Sequence, residues 1–77
     1  MVHAYVMVRT EAGTPQKVRD AVADLDAVSA AHVVAGDYDL IVEVDAPEVT
    51  DVLDVATDQI QGQAGVLETK TYVGMSE

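Results

Sequence analysis

"VVAGDYDLIVEV", residues 33–44, decides the fold. It begins as an apolar run, breaks at Gly36-Asp37-Tyr38-Asp39, and resumes as an alternation that puts Leu40, Val42 and Val44 on one face and Asp39, Ile41 and Glu43 on the other. A period of two is the signature of a strand with one face turned to a core, so Tyr38 to Asp45 is predicted as a strand. The Val- and Ala-rich run before the break, from about Val28 to Ala35, reads as a second strand. The break then reads as a tight connection at Gly36 and Asp37.

Working outward, "HAYVMVRT" at residues 3–10 alternates in the same way, with Ala4, Val6 and Val8 opposite His3, Tyr5, Met7 and Arg9. Thr14 and Pro15 open a helix, a hydroxyl cap before a residue whose missing N–H is not needed in the first turn. Val18, Ala21, Val22 and Leu25 supply its apolar stripe. "DAPE" predicts a second helix capped by Asp45, with Glu48 completing the box. Its stripe is Val49, Val52, Leu53, Ala56 and Ile60, and "QGQAG" ends it. Residues 66–75 form the last strand. The order β-α-β-β-α-β predicts a ferredoxin-like α+β sandwich: a four-stranded antiparallel sheet with both helices on one face. The other face would carry Tyr5, Met7, Ile41 and either Val33 or Val34, apolar surface that pairing of two sheets would bury.

With 77 residues the chain is expected to form a single domain, 1–77, and a core this small leaves stability thin. No cysteine is present, which excludes disulfides and cysteine-based zinc sites and makes self-association the expected source of further buried surface. Fourteen acidic residues against four basic give a net charge of −10. That field repels phosphate backbones, and only Arg9, Lys17, Arg19 and Lys70 could replace counterions, so direct nucleic-acid binding is not expected. A strongly acidic surface with few lysines resembles that of proteins from salt-loving cells. Neither a signal peptide nor a membrane span is legible, and the chain reads as soluble and cytoplasmic.

Chemistry is sparse. A metal site would need His3 and His32 to converge with carboxylates such as Asp37 or Asp39, but no metal-ligand spacing accompanies either histidine, so no metal is expected. No cysteine nucleophile, nucleophile elbow or phosphate-binding loop is present, and no enzyme activity or cofactor is expected. The joint itself is the most specific feature. A hairpin accounts for Gly36, through positive φ, and for Asp37, through a local hydrogen bond. It does not account for Asp39, whose carboxylate lies within a strand where an unpaired charge is costly. A carboxylate and free backbone donors at a sheet edge suit the ammonium and carboxylate of an amino acid, which makes Gly36, Asp37, Tyr38 and Asp39 candidate ligand-binding residues. Thr69 and Thr71, two apart and so on one face, are candidates to line the same polar pocket at a subunit interface.

The stretch from Val33 to Met75 resembles the effector-binding domain of the Lrp/AsnC regulators. Gly36, Tyr38, Asp39 and Leu40 match one motif of that family, and Gly65, Val66, Thr69 and Thr71 match a second. The resemblance implies a ferredoxin-like domain that pairs through its sheets into dimers, builds tetramers or octamers, and binds an amino acid where dimers meet. By position the effector would touch the Gly36–Asp39 joint and the strand of Thr69 and Thr71. Full-length members carry an N-terminal helix-turn-helix domain, whereas this sequence opens directly in the first strand and resembles the stand-alone members. Any regulatory role would then run through assembly with a helix-turn-helix relative or through metabolite sensing. Two rivals share the fold. An ACT-type regulatory domain would bind its amino acid at the first strand-helix loop, where "TEAGTP" places Gly13. A small dimeric ferredoxin-like enzyme would need a polar cavity between sheet and helices, against the small Val and Ala faces seen here.

Overall fold

The alternation around Leu40 is realised in the computed structural model, which describes residues 1–76, as a strand in the middle of a sheet. The elements are β1 (Val2–Thr10), α1 (Pro15–Ala23), β2 (Val28–Val33), β3 (Leu40–Ala46), α2 (Val49–Asp54), a π-helical continuation of α2 (Val55–Ile60), and β4 (Val66–Val73). The strands lie in the order β2-β3-β1-β4, all neighbours antiparallel. The result is the expected ferredoxin-like α+β sandwich.

Register makes the core. Val6 pairs with Val42 and Val8 with Leu40, so the buried sets of the two central strands coincide on the helix side. Ala4, Val6, Val8, Leu40, Val42 and Val44 are fully buried there, against Val22 and Val18 of α1 and Val52 and Ile60 beyond. Each of the valine, leucine and isoleucine side chains contributes about 1.5–3 kcal/mol by leaving water, and the core is built almost wholly from small aliphatic groups. Gly65 sits at φ +93°, and a Cβ there would lie 3.1 Å from Val18 Cγ2, so only glycine lets β4 start this close to α1.

Four local expectations are corrected. First, β2 ends at Val33 and β3 begins at Leu40; the connection is a loop over residues 34–39, closed by Val34 N–H donating to the Asp39 carbonyl at 2.9 Å. Gly36 has no positive φ, so the hairpin requirement does not explain it. Second, Asp45 lies within β3, and the helix cap is Glu48, whose N–H donates to Asp51 Oδ2 at 3.1 Å. "DAPEVTD" holds two overlapping acidic boxes. Pairing of Ala46 with Val2 keeps the strand going to the proline and so selects the second. Third, the helix ends in a π turn, with Gln61 N–H reaching the Ala56 carbonyl at 3.0 Å, and its buried stripe is Val52, Val55, Ala56 and Ile60. Val55 is buried, while Val49 and Leu53 are exposed. Fourth, Thr14 does not cap α1 with its side chain; its hydroxyl donates to the Glu11 carbonyl at 2.7 Å, while Pro15 takes the first turn as expected.

The remaining face of the sheet has no helix over it. His3, Tyr5, Met7 and Arg9 of β1 point there, opposite Asp45, Glu43 and Ile41 of β3 and Tyr72, Lys70 and Glu68 of β4. Val33 pairs with Leu40 and so belongs to the helix side, while Val34 already lies in the loop.

Candidate functional site

The joint is held in place by the end of β1. Asp39 N–H donates to the Val8 carbonyl at 2.9 Å, and Thr10 N–H donates to Asp39 Oδ2 at 2.8 Å. One oxygen of the Asp39 carboxylate is therefore engaged where it lies: it takes up a backbone donor where β1 and β4 shift register between Arg9 and Thr10. The loop it braces presents Gly36 and Asp37 to solvent and leaves Tyr38 half-buried. Nothing stands within 4 Å of where a Cβ on Gly36 would be, so the bare backbone is open to approach from outside. Arg9 reaches across from β1, its guanidinium carbon 4.9 Å from the centre of the Tyr38 ring, a cation–π distance. Its Nε donates to Glu68 Oε1 at 3.1 Å, and Glu68, with Tyr38, holds the Arg9 pKa above its usual value.

Thr69 and Thr71 stand elsewhere. Their β1 partners are Val8 and Val6, which puts both half-buried hydroxyl side chains on the helix side of the edge strand β4. Leu40 and Thr69 flank Val8 on either side, roughly 10 Å apart at two strand spacings. Within one chain the joint and the threonines share an end of the sheet but do not enclose a common pocket. Among the described residues, the Thr10 hydroxyl beside them is buried without a hydrogen-bond partner.

The open face holds a polar cluster that spacing along the sequence does not reveal. His3 Nδ1 lies 2.5 Å from Asp45 Oδ1, and His3 Nε2 lies 3.2 Å from Glu43 Oε1. His32 Nε2 meets the other Glu43 oxygen at 3.3 Å. The hydrogen bond to Asp45, then that to Glu43, raises the His3 pKa above 6.5 against some desolvation, and the same bond lowers Asp45 below 3.8. The two histidines thus do converge, on Glu43 rather than on Asp37 or Asp39. Among the described residues, however, no group of three or more such side chains has the geometry to hold a metal ion. The available signal was the pairing of β1 with β3, which sets His3 beside Asp45; the bulge between Val28 and Ala30, which sets the phase of His32, leaves no trace in the hydropathy.

At the opposite end of β1 from the joint, an open cleft of about 370 Å³ is lined by Val2, His3, Tyr5, Val49, Val73 and Met75, among others. It contains none of the predicted site residues. No helix among the described residues is long and apolar enough to cross a membrane.

Comparison with known proteins agrees with the geometry. No curated protein matches the chain significantly in sequence. Among solved structures, a Thermus thermophilus protein is 31% identical and superposes with a TM-score of 0.94 over 100% of this chain and 96% of its own. E. coli AsnC shares the fold at 18% identity and a TM-score of 0.90, over 99% of this chain but only 52% of its own. A Neisseria meningitidis transcriptional regulator solved with L-methionine does so at 14% identity and a TM-score of 0.85, over 99% of this chain and 51% of its own. The profile of the Lrp/AsnC ligand binding domain matches residues 3–77, and the chain belongs to that family.

Proposed function

We propose that the chain is an amino-acid-sensing and assembly module of the Lrp/AsnC regulators, taking its effector at the Gly36–Asp39 joint where subunits meet and acting on transcription indirectly. The observation that carries this reading is Gly36: neither positive φ nor crowding calls for glycine there, yet the backbone beside the braced Asp39 is left uncovered. A ligand or partner that approaches the backbone closely supplies the missing reason. The L-methionine bound by the Neisseria regulator supports an amino acid as the class of ligand. Thr69 and Thr71 enter the same site from a second subunit or after the edge strand adjusts. Subunits pair through the open sheet face, where Tyr5 is 41% exposed and Met7 and Ile41 are only half-covered. The net charge of −10 supports work in high salt, where screening relieves self-repulsion. The positive φ of Gly13 is required by its own turn, which removes the motive for an ACT-type site there.

Thermal unfolding in concentrated potassium chloride, with each of the twenty amino acids in turn, tests the reading, because a ligand that binds only the folded state raises the midpoint. A selective rise that Gly36→Val abolishes, without lowering the unliganded midpoint, is the expected result. No rise with any amino acid contradicts effector sensing and leaves an assembly module.

A further inference from the structure

The joint poses a problem of charge. An amino acid is a zwitterion, and any site that selects it must meet a carboxylate as well as an ammonium group. Asp37 and Asp39 are both negative and sit in a chain of net charge −10, so on their own they repel the ligand's carboxylate. One oxygen of Asp39 already accepts from Thr10 N–H, while Asp37 is exposed and makes no side-chain hydrogen bond among the described residues, so its whole carboxylate can face the ammonium group. A cation has to come from outside the loop.

Of the four basic residues, Lys17 and Arg19 belong to α1, and Arg19 is engaged with the Ala31 carbonyl and Asp20. Lys70 stands opposite Met7, two residues farther down β1. Arg9 alone touches the joint, lying over the Tyr38 ring. Its engagement is one-sided. Glu68 takes the Nε–H and Tyr38 adds a side-chain hydrogen bond, while no carboxylate other than Glu68 pairs with Arg9 among the described residues. The ring below and the carboxylate beside it hold the guanidinium plane, while its outer edge keeps the parallel N–H pair that fits a carboxylate.

We infer that Arg9, held over Tyr38 and braced by Glu68, is the residue that binds the effector's carboxylate, so the site selects α-amino acids with a free carboxylate over their amides and amines. The inference rests on the joint being the effector site. Glu68 is a positioning residue: it fixes the side chain without touching the ligand. Arg9→Lys keeps the charge but not the fork.

The test extends the thermal panel to wild type, Arg9→Gln, Arg9→Lys and Glu68→Gln, with each amino acid that raises the wild-type midpoint assayed beside its carboxamide. Arg9→Gln is expected to weaken the apparent affinity roughly tenfold to a hundredfold, as loss of a hydrogen bond to a charged group does. Arg9→Lys and Glu68→Gln should both fall between Arg9→Gln and wild type, and the carboxamides should raise the wild-type midpoint little. An amino acid that shifts wild type and Arg9→Gln equally, or a carboxamide as effective as its acid, overturns the role of Arg9 and leaves effector sensing standing. No response to any amino acid in wild type overturns both.

Discussion

The two faces of the sheet are made by the same strands and behave as different materials. On the helix side, Leu40 and its neighbours are fully buried in a core of valine, leucine and alanine with hardly a polar atom. On the other side, the residues between them form a surface of Tyr5, Met7 and Ile41 interrupted by the His3–Asp45–Glu43–His32 cluster and ending at Arg9 and Tyr38. The helix side is covered within one chain; the open side carries no helix and leaves Tyr5 exposed. Apolar groups left half-covered and charges paired within the face are what a surface needs if it is to meet a second sheet without stranding its polar groups. On the proposed reading, stability rests on the helix side and subunit pairing on the open one.

Adjacent residues of β3 give the sharpest way to break that contrast. Leu40→Ala should cost about 2–5 kcal/mol in urea unfolding, the range for a fully buried leucine. Ile41→Ala should cost the isolated chain about 1 kcal/mol or less and instead weaken self-association in sedimentation velocity. Equal costs at a concentration where both variants are monomeric would show that the open face is as structural as the other. An effect smaller than that of Leu40→Ala is expected of Asp39→Ala, which strands Thr10 N–H and should cost about 1 kcal/mol in the same unfolding assay. A loss near that of Leu40→Ala would make the joint part of the core rather than a braced loop.

The smallest effect concerns pH. His3 has its folded pKa raised, so its stabilising contribution is full below the ordinary value of 6.5 and is lost as pH rises through the folded value. Asp45 has its pKa lowered, so its contribution is present above 3.8 and is lost as pH falls through the folded value. The pair thus supports the fold most fully between about pH 3.8 and 6.5. His3→Gln should flatten the decline in unfolding midpoint just above that window. An unchanged profile would show that the cluster is only a contact.

Much of this was legible in the sequence, and the limits have physical causes. Period two in residues 3–10 and 40–44 located the buried face correctly, because burial of alternate positions is written directly in hydropathy. The start of α2 was misread because two capping boxes overlap and only cross-strand pairing of Ala46 with Val2 chooses between them. The stripe on that helix differs because Val49, Val52, Leu53, Val55, Ala56 and Ile60 offer more apolar positions than one face holds, and residue type does not say which of them turn to the sheet. The joint was recognised, but its loop length and the freedom of Gly36 from positive φ were not, since glycine signals permission rather than use. The convergence of His3 and His32, far apart in sequence, depends on register across three strands, which no local pattern encodes.

Amide spectra of the 15N-labelled protein, recorded through a titration with the amino acid that most raises the unfolding midpoint, test the central claim most directly. The account predicts saturable shifts centred on Gly36 to Asp39 and on Arg9, at the end of the sheet where β1 meets the loop. Shifts confined to the far cleft, at Val2, Val49 and Met75, or no shift with any amino acid, would contradict it.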